Sequence, residues 1–278
     1  MKTEIRTLET VAAKGRLLGL DMVYHCASGH LGGSFSAMDI LTVLYFEVMN
    51  VDPKNPADPD RDRFVLSKGH CTPALYPILA QKGYFPEEDL ALFRSVEGHL
   101  SGHAEMNHVK GVDMSTGSLG QGISIAGGMA LSHKLAGRAN RVFCIVGDGE
   151  LNEGQCWEAF QFIAHHRLNN LTVFVDWNKL QLDGRLDEII RAFNLEDKFR
   201  AFGFDVVTVK GDDIPGLLAA VQPVPPVDAR PRVVILDSVK GQGVPYLENL
   251  SNNHHLRLTA EMKETLNETI RQLEAEHD

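Results

Sequence analysis

Two turns in this sequence carry residues suited to holding a hard cation. GDGELNEG (147–154) follows the apolar run RVFCIV (141–146), and VDWNKLQLDG (175–184) carries Asn178 just past a second apolar run, LTVFVDW (171–177). Asp148 sits between Gly147 and Gly149, and Asn178 follows it by 30 residues. An acidic turn at a strand tip makes poor core and needs solvent or a cation. A carboxylate, a carboxamide and a nearby backbone carbonyl are oxygen ligands, which suit Mg²⁺ or Ca²⁺ rather than zinc. Mg²⁺ seldom draws six oxygens from protein alone, so the phosphates of a ligand and water complete the set. Gly147 and Gly149 are expected to let the backbone bend sharply and approach that ligand. The next helix points its N-terminus at the same place, which favours a phosphate. The plain alternative is a tight turn at GDG and an ordinary turn residue at Asn178. Other phosphate and cation patterns fail: GDGELN lacks the third glycine of GxGxxG, no GxxxxGK[ST] occurs, and DWNKLQ places Leu180 where an EF-hand needs an acid.

These turns need a scaffold, and the pattern along the chain supplies one. Helices are expected over 8–28, 36–51, 72–84, 87–96, 123–137, 152–168, 213–222 and 259–277. Strands are expected over 63–70, 141–147, 171–177, 204–210 and 230–239. The stretch 99–122 is irregular and rich in Gly and His, which in mid-chain suggests a site rather than a linker. Segments 141–147, 152–168 and 171–177 form a βαβ unit, so Asp148 and Asn178 open on one sheet edge, where ligands of parallel sheets bind. Near-continuous apolar strands alternating with helices predict an α/β fold: a doubly wound, mainly parallel sheet with helices on both faces. The proline-rich QPVPPVDARP (222–231) reads as a connection inside one domain spanning 1–278.

Bulk properties narrow the class. A chain of 278 residues, 44% hydrophobic, has enough apolar material for a sizeable core. The net charge of −10, from 27 basic and 37 acidic residues, argues against general affinity for nucleic acid or an anionic membrane. Cys26, Cys71, Cys144 and Cys156 include no CxxC pair, and the N-terminus lacks a signal-peptide core. A cytoplasmic protein with reduced thiols is the expectation.

The histidines are the next most informative feature. His30, His70 and His103 each follow a glycine, in SGH, KGH and SGH. A lone histidine is usually a surface or satisfied core residue, and that reading is kept for His25, His99, His108, His133 and His165. Three glycine–histidine loops in one sheet protein are harder to dismiss.

GDGELNEG followed by DWNKLQLDG resembles the thiamine-diphosphate motif of thiamine-dependent enzymes. Four further blocks, SGHLGGSFSAMDIL (28–41), DRDRFVLSKGH (60–70), GHAEMNHVKGVDMSTGSLGQGISIAGGMA (102–130) and VKGQGVPYLEN (239–249), are similar in order and spacing to the first domain of transketolase, over nearly the whole chain. The resemblance implies that Asp148, Asn178 and the Leu180 carbonyl hold the divalent ion, Mg²⁺ or another such as Ca²⁺, which grips the cofactor diphosphate. It implies that Gly149 offers its N–H to a phosphate oxygen, and that Gly117 and Leu119 touch the cofactor rings. Ser118 stands where the family commonly has proline. Glu153 and Glu158 match family acids near a subunit interface. His30, His70, His103 and His254 are implied to line the funnel above the cofactor, contacting sugar hydroxyls and the cofactor phosphate. His254 is preferred to its neighbour His255, although the family's following glycine is missing.

The activity implied is transfer of a two-carbon ketol unit from a ketose or its phosphate to an aldose or its phosphate. A full transketolase continues into a pyrimidine-binding domain, so this chain is expected to be the N-terminal subunit of a split enzyme. Its C-terminal subunit would be a separate polypeptide, in a heterotetramer. Deoxyxylulose-phosphate-synthase-like and keto-acid decarboxylase subunits share GDG…N, but SGHLGG and GHAEMNH fit them poorly. A non-catalytic regulatory subunit is disfavoured by the intact polar loops, and a zinc hydrolase by the absence of HExxH.

Overall fold

The computed structural model of the chain describes residues 3–182, 184–222 and 230–277. Five strands form the central sheet: β1 (Arg63–Leu66), β2 (Val142–Gly147), β3 (Leu171–Trp177), β4 (Asp205–Lys210) and β5 (Arg232–Asp237). Their spatial order is β1-β2-β3-β5-β4, and every pair is parallel. The longer helices are α1 (Ile5–Cys26), α2 (Met38–Val43), α3 (Thr72–Lys82), α4 (Gln121–Leu135), α5 (Gly154–His165), α6 (Leu195–Ala201), α7 (Ile214–Ala220) and α8 (Ala260–His277).

Alternation along the strands assigns the two faces. Val142, Cys144 and Val146 of β2 join one apolar cluster with Ile123 of α4, Phe160 of α5 and Phe199 of α6. Phe143 and Ile145 turn to the other cluster, with Leu20 of α1, Leu75 of α3 and Leu217 of α7. Crossovers between parallel strands are right-handed. Those leading from β1 to β2, β3 and β4 all step the same way across the sheet, so α4, α5 and α6 share a face. The β4-to-β5 connection steps back, and α7 lies on the opposite face. The doubly wound parallel architecture is thereby established.

Some local expectations change. Segment 87–96 is not an α-helix: only Glu87–Leu92 coil, as a 3-10 turn. Three acids in that first turn leave little apolar surface to pack, with Leu90 alone buried. The helix expected over 36–51 is α2, which widens into a π-helical turn at Leu44–Val48. The break at 28–34 contains a four-residue helix, Gly32–Phe35. α6 was not anticipated, nor was the hairpin Leu180–Gln181/Gly184–Arg185. The connection expected over 222–231 lies, from 223 to 229, outside the described residues. Among the described residues no helix is long and apolar enough to cross a membrane, and the four cysteines are unpaired.

Buried polar contacts bind the loops of the carboxyl edge to this frame. Arg16 of α1 pairs with Asp39 of α2 and donates Nε to the Gln242 carbonyl (2.8 Å), anchoring the segment after β5. Ser28–Gly29 pairs antiparallel with Leu256–Arg257, drawing the chain near residue 254 onto the loop of His30. Asn253 reinforces this through Nδ2 bonds to the Lys240 and Leu247 carbonyls (3.0 and 2.8 Å).

Candidate functional site

The carboxyl ends of β1, β2, β3 and β5 and the loops above them enclose a cavity of about 320 Å³. His30, His70, His103, His254, Gly117, Leu119, Gly147, Asp148, Gly149, Glu153, Asn178 and Leu180 all line it. Residues up to 224 positions apart in sequence (254 − 30) thus meet in one place. Glu158 does not reach it: it is an exposed residue of α5, more than a turn beyond Glu153.

On the β2–β3 side the oxygens converge. Asp148 is 3% exposed; its Oδ1 accepts from Gly149 N (2.8 Å) and its Oδ2 from Lys179 N (2.6 Å). Asn178 donates Nδ2 to Asp176 (2.8 Å) and accepts the Leu180 N–H at Oδ1 (3.1 Å), which leaves that oxygen a second lone pair. Lys179 between them holds a left-handed φ of 67°. A non-glycine residue keeps such a conformation only where its surroundings enforce it. Here its side chain is tied to Asp237 and the Ser238 carbonyl.

Burial, and then the charge of Asp176, push the Asp148 carboxyl up to about 7. A buried carboxylate so disfavoured, beside amide and carbonyl oxygens, is a fit for a hard cation. Among the described residues no group of three or more His, Cys, Asp or Glu stands close enough to hold a metal. A cation here would therefore take amide and carbonyl oxygens and complete its shell from a ligand. The Gly149 N–H, expected to meet a phosphate, donates here to Asp148 Oδ1.

The glycine reading is corrected in part. Gly149 has φ −65° and ψ −33°, open to any residue; a Cβ there would crowd the Gln181 side chain, at 3.0 Å, which would have to shift slightly. At Gly147 a Cβ would meet only ordinary contacts, the nearest being Lys68 Cδ at 3.7 Å, so packing within the chain does not demand glycine. Gly117 does need its freedom, with φ 147° and a Cβ position 3.0 Å from His103.

The histidines form one cluster on the other side. The His30 ring centroid lies 5.0 Å from His70, 6.1 Å from His103, 5.3 Å from His254 and 4.6 Å from His255. His254 faces the cavity, whereas His255 bonds Ser28 through Nε2 (3.1 Å). The His103 carbonyl accepts from Ser101 and Tyr76, which fixes its loop. Burial, then the neighbouring His255, His254 and Arg94, pushes His30 down to about 3. His70 is driven well below the ordinary imidazole value, first by burial. Among the described residues the His30 Nδ1 is buried with no hydrogen-bond partner, an acceptor or donor held ready for a ligand.

Sequence reasoning passed over four cavity residues that matter. Lys68 and Asp176 are both buried and pair at 2.6 Å, with Ser36 and Ser238 also donating to Asp176. Burial opposes both charges, but their mutual attraction wins: Lys68 is raised and Asp176 lowered. Glu150 is buried rather than solvated, and accepts from Ser67 Oγ, Gly120 N (2.9 Å) and Gly147 N (3.0 Å), tying three cavity loops together. Lys240 adds a second ammonium to the wall. An acid inside the apolar run LTVFVDW was the available signal for Asp176.

The cavity thus sets cation-ready oxygens, two ammonium groups and loop N–H donors opposite a cluster containing neutral imidazoles. That combination suits a diphosphate at one end and hydroxyl-bearing carbon chemistry at the other.

Comparison with known proteins points the same way. The family model described as "Transketolase, thiamine diphosphate binding domain" matches residues 7–272. The chain is 44% identical over 247 residues to the 6-deoxy-6-sulfo-D-fructose transketolase subunit SqwG of Clostridium sp. (strain MSTE9), covering 89% of this chain and 90% of that protein. It is 35% identical to an apulose-4-phosphate transketolase subunit of Phocaeicola vulgatus, covering 99% of each. Among solved structures, transketolase from Campylobacter jejuni superposes with a TM-score of 0.88 at 31% identity, over 97% of this chain and 43% of that one. For transketolase from Leishmania mexicana the TM-score is 0.82, with 45% of that chain covered. The chain spans less than half the length of these two solved transketolases.

Proposed function

The chain belongs to the transketolase family through its thiamine-diphosphate-binding domain, and from that premise we propose that it is the N-terminal subunit of a two-polypeptide ketol transferase. We read 1–278 as one such domain. Its substrates are a ketose donor and an aldose acceptor, as sugars or sugar phosphates. The observation that carries the reading is the single cavity in which Asp148, Asn178 and Leu180 stand opposite His30, His70, His103 and His254.

In this reading Asp148, Asn178 and the Leu180 carbonyl hold Mg²⁺ or a similar divalent ion against the diphosphate, and Lys240 offsets its charge. Bound thiamine diphosphate supplies the carbon nucleophile that lets the ketose C2–C3 bond break. Gly117 and Leu119 seat its rings. His30, His70, His103 and His254 orient the sugar hydroxyls, and His30, His70 and His103, whose protonation burial disfavours, both donate and accept protons as neutral imidazoles. Glu153, exposed at the cavity rim, and Glu158 beyond it face the second polypeptide. That partner brings the pyrimidine-binding domain, and the assembly is a heterotetramer acting in the cytoplasm.

The test is reconstitution. The purified chain is expected to bind thiamine diphosphate weakly with Mg²⁺ and to show no ketol transfer alone. Co-expression with a pyrimidine-binding partner is expected to yield transfer from a panel of ketose phosphates, without release of CO₂. Full turnover by the lone chain would overturn the two-polypeptide reading.

A further inference from the structure

Arg94 stands apart from the other cations of the cavity region. Its backbone is left-handed (φ 61°), closed by a bond from its N–H to the Leu100 carbonyl (2.8 Å). Its side chain is half-buried, and among the described residues no carboxylate pairs with it. Space for the guanidinium is reserved: a Cβ on Gly102 would sit 2.6 Å from Arg94 Nε. Its Nη1 donates to Ser28 Oγ (3.1 Å), and Ser28 Oγ lies 3.1 Å from His255 Nε2. Arginine only donates, so the Ser28 oxygen accepts from it and keeps its hydroxyl proton to offer to Nε2, the direction of that second bond being set by the His255 tautomer.

We propose that Arg94 is a positioning residue for the histidine cluster: it fixes Ser28 so that the hydroxyl donates to His255 Nε2 and leaves that ring's proton on Nδ1, and its fixed charge adds to burial in acting on His30 and His103. The groups facing His30 come from every loop packed against it: His70 beside Lys68, Arg94 and His103, and His254 and His255. None of those neighbours is a carboxylate, so nothing there favours protonation of His30. Burial and Arg94 together also lower His103. A protonated imidazole cannot accept a proton, so neutrality is what keeps these rings useful. The inference rests on the proposed function only for its effect on turnover; the titration of the rings tests it independently.

The experiment is a ring-NMR titration of the full chain, wild type against R94M, R94K and S28A, with dispersion of the spectrum reporting folding at each pH. In R94M the His30 and His103 midpoints are expected to rise by about one pH unit, the size of a nearby fixed charge. R94K should keep the wild-type midpoints. In S28A the ¹⁵N shifts of His255 should lose the Nδ1–H signature while His30 keeps its midpoint; this arm stands even where R94M unfolds. In the reconstituted enzyme the acid limb of kcat/KM for R94M should move up by a similar amount, with R94K restoring it. Unchanged His30 and His103 midpoints in a folded R94M, or an unchanged His255 signature in S28A, overturn the proposal.

Discussion

At the scale of single residues, the cavity separates groups that stabilise the fold from groups that burden it. Lys68 and Asp176 belong to the first kind. Removing one partner of a buried pair strands the other charge, which typically costs about 3–5 kcal/mol. K68M is therefore expected to lower stability by that order in urea unfolding at pH 7. Because the folded value of Asp176 is lowered, the pair's contribution holds above the unfolded carboxylate range and fades only as pH falls through the folded value. Asp148 belongs to the second kind. Its raised value means the ionised form is penalised in the ligand-free fold, so D148N, which keeps one of the two acceptors for the Gly149 and Lys179 N–H groups, should lower the Tm of that form at pH 8 by less than K68M does. The same change should weaken Mg²⁺-dependent thiamine diphosphate binding by more than about 100-fold in calorimetry. A fall in Tm larger than that of K68M, with binding intact, would reverse both assignments. His30 has the opposite proton linkage to a stabilising histidine. Its folded value is depressed, so the unfolded chain binds more protons below about 6.5 and stability declines as pH drops from there towards about 3. H30N is expected to flatten that decline, read from urea midpoints between pH 7.5 and 5.

At the scale of elements, close backbone approach assembles the loops. Gly69 lets the turn after β1 lie against Thr116 and Gly117, where an added Cβ would stand 2.5 Å from the Thr116 carbonyl carbon. G69A is expected to cost about 1–3 kcal/mol, as overpacking does, and to perturb resonances over 101–119. Gly128, in the middle of α4, has nothing within 4 Å of its Cβ position. G128A should accordingly leave the isolated chain as stable or gain about 0.5–1 kcal/mol. The strands were readable because each alternates between two apolar layers, as Val142 to Val146 do. Segment 87–96 misled because Leu90 and Phe93 reach the core from a 3-10 turn and the loop after it, so apolar spacing alone did not decide an α-helix. α6 escaped notice because its seven residues bury only Leu195 and Phe199, too few for a periodic signal.

At the scale of the whole molecule, the chain matches under half of the solved transketolases, and its cavity opens towards exposed Leu119 and Leu182. A pyrimidine-binding partner that covers this mouth would seclude the reaction from water. Adding it is expected to raise thiamine diphosphate affinity and to shift the chain to a heterotetramer in sedimentation. The residues that chemistry places at a strand end were legible from sequence alone. GDG, Asn178 and the glycine–histidine loops declare themselves because costly polar groups and special backbones at strand tips have few other uses. The α/β order was equally legible, since hydrophobic period is local information. Only the tertiary structure decided that Asp176 and Lys68 neutralise each other, that Glu150 faces inward while Glu158 does not, and that His254 rather than His255 meets the cavity. It alone placed Arg94 behind the histidines. Each of these depends on which side chain reaches which across gaps of tens to hundreds of residues, and on how far burial strengthens a charge once water is gone. A linear sequence records neither.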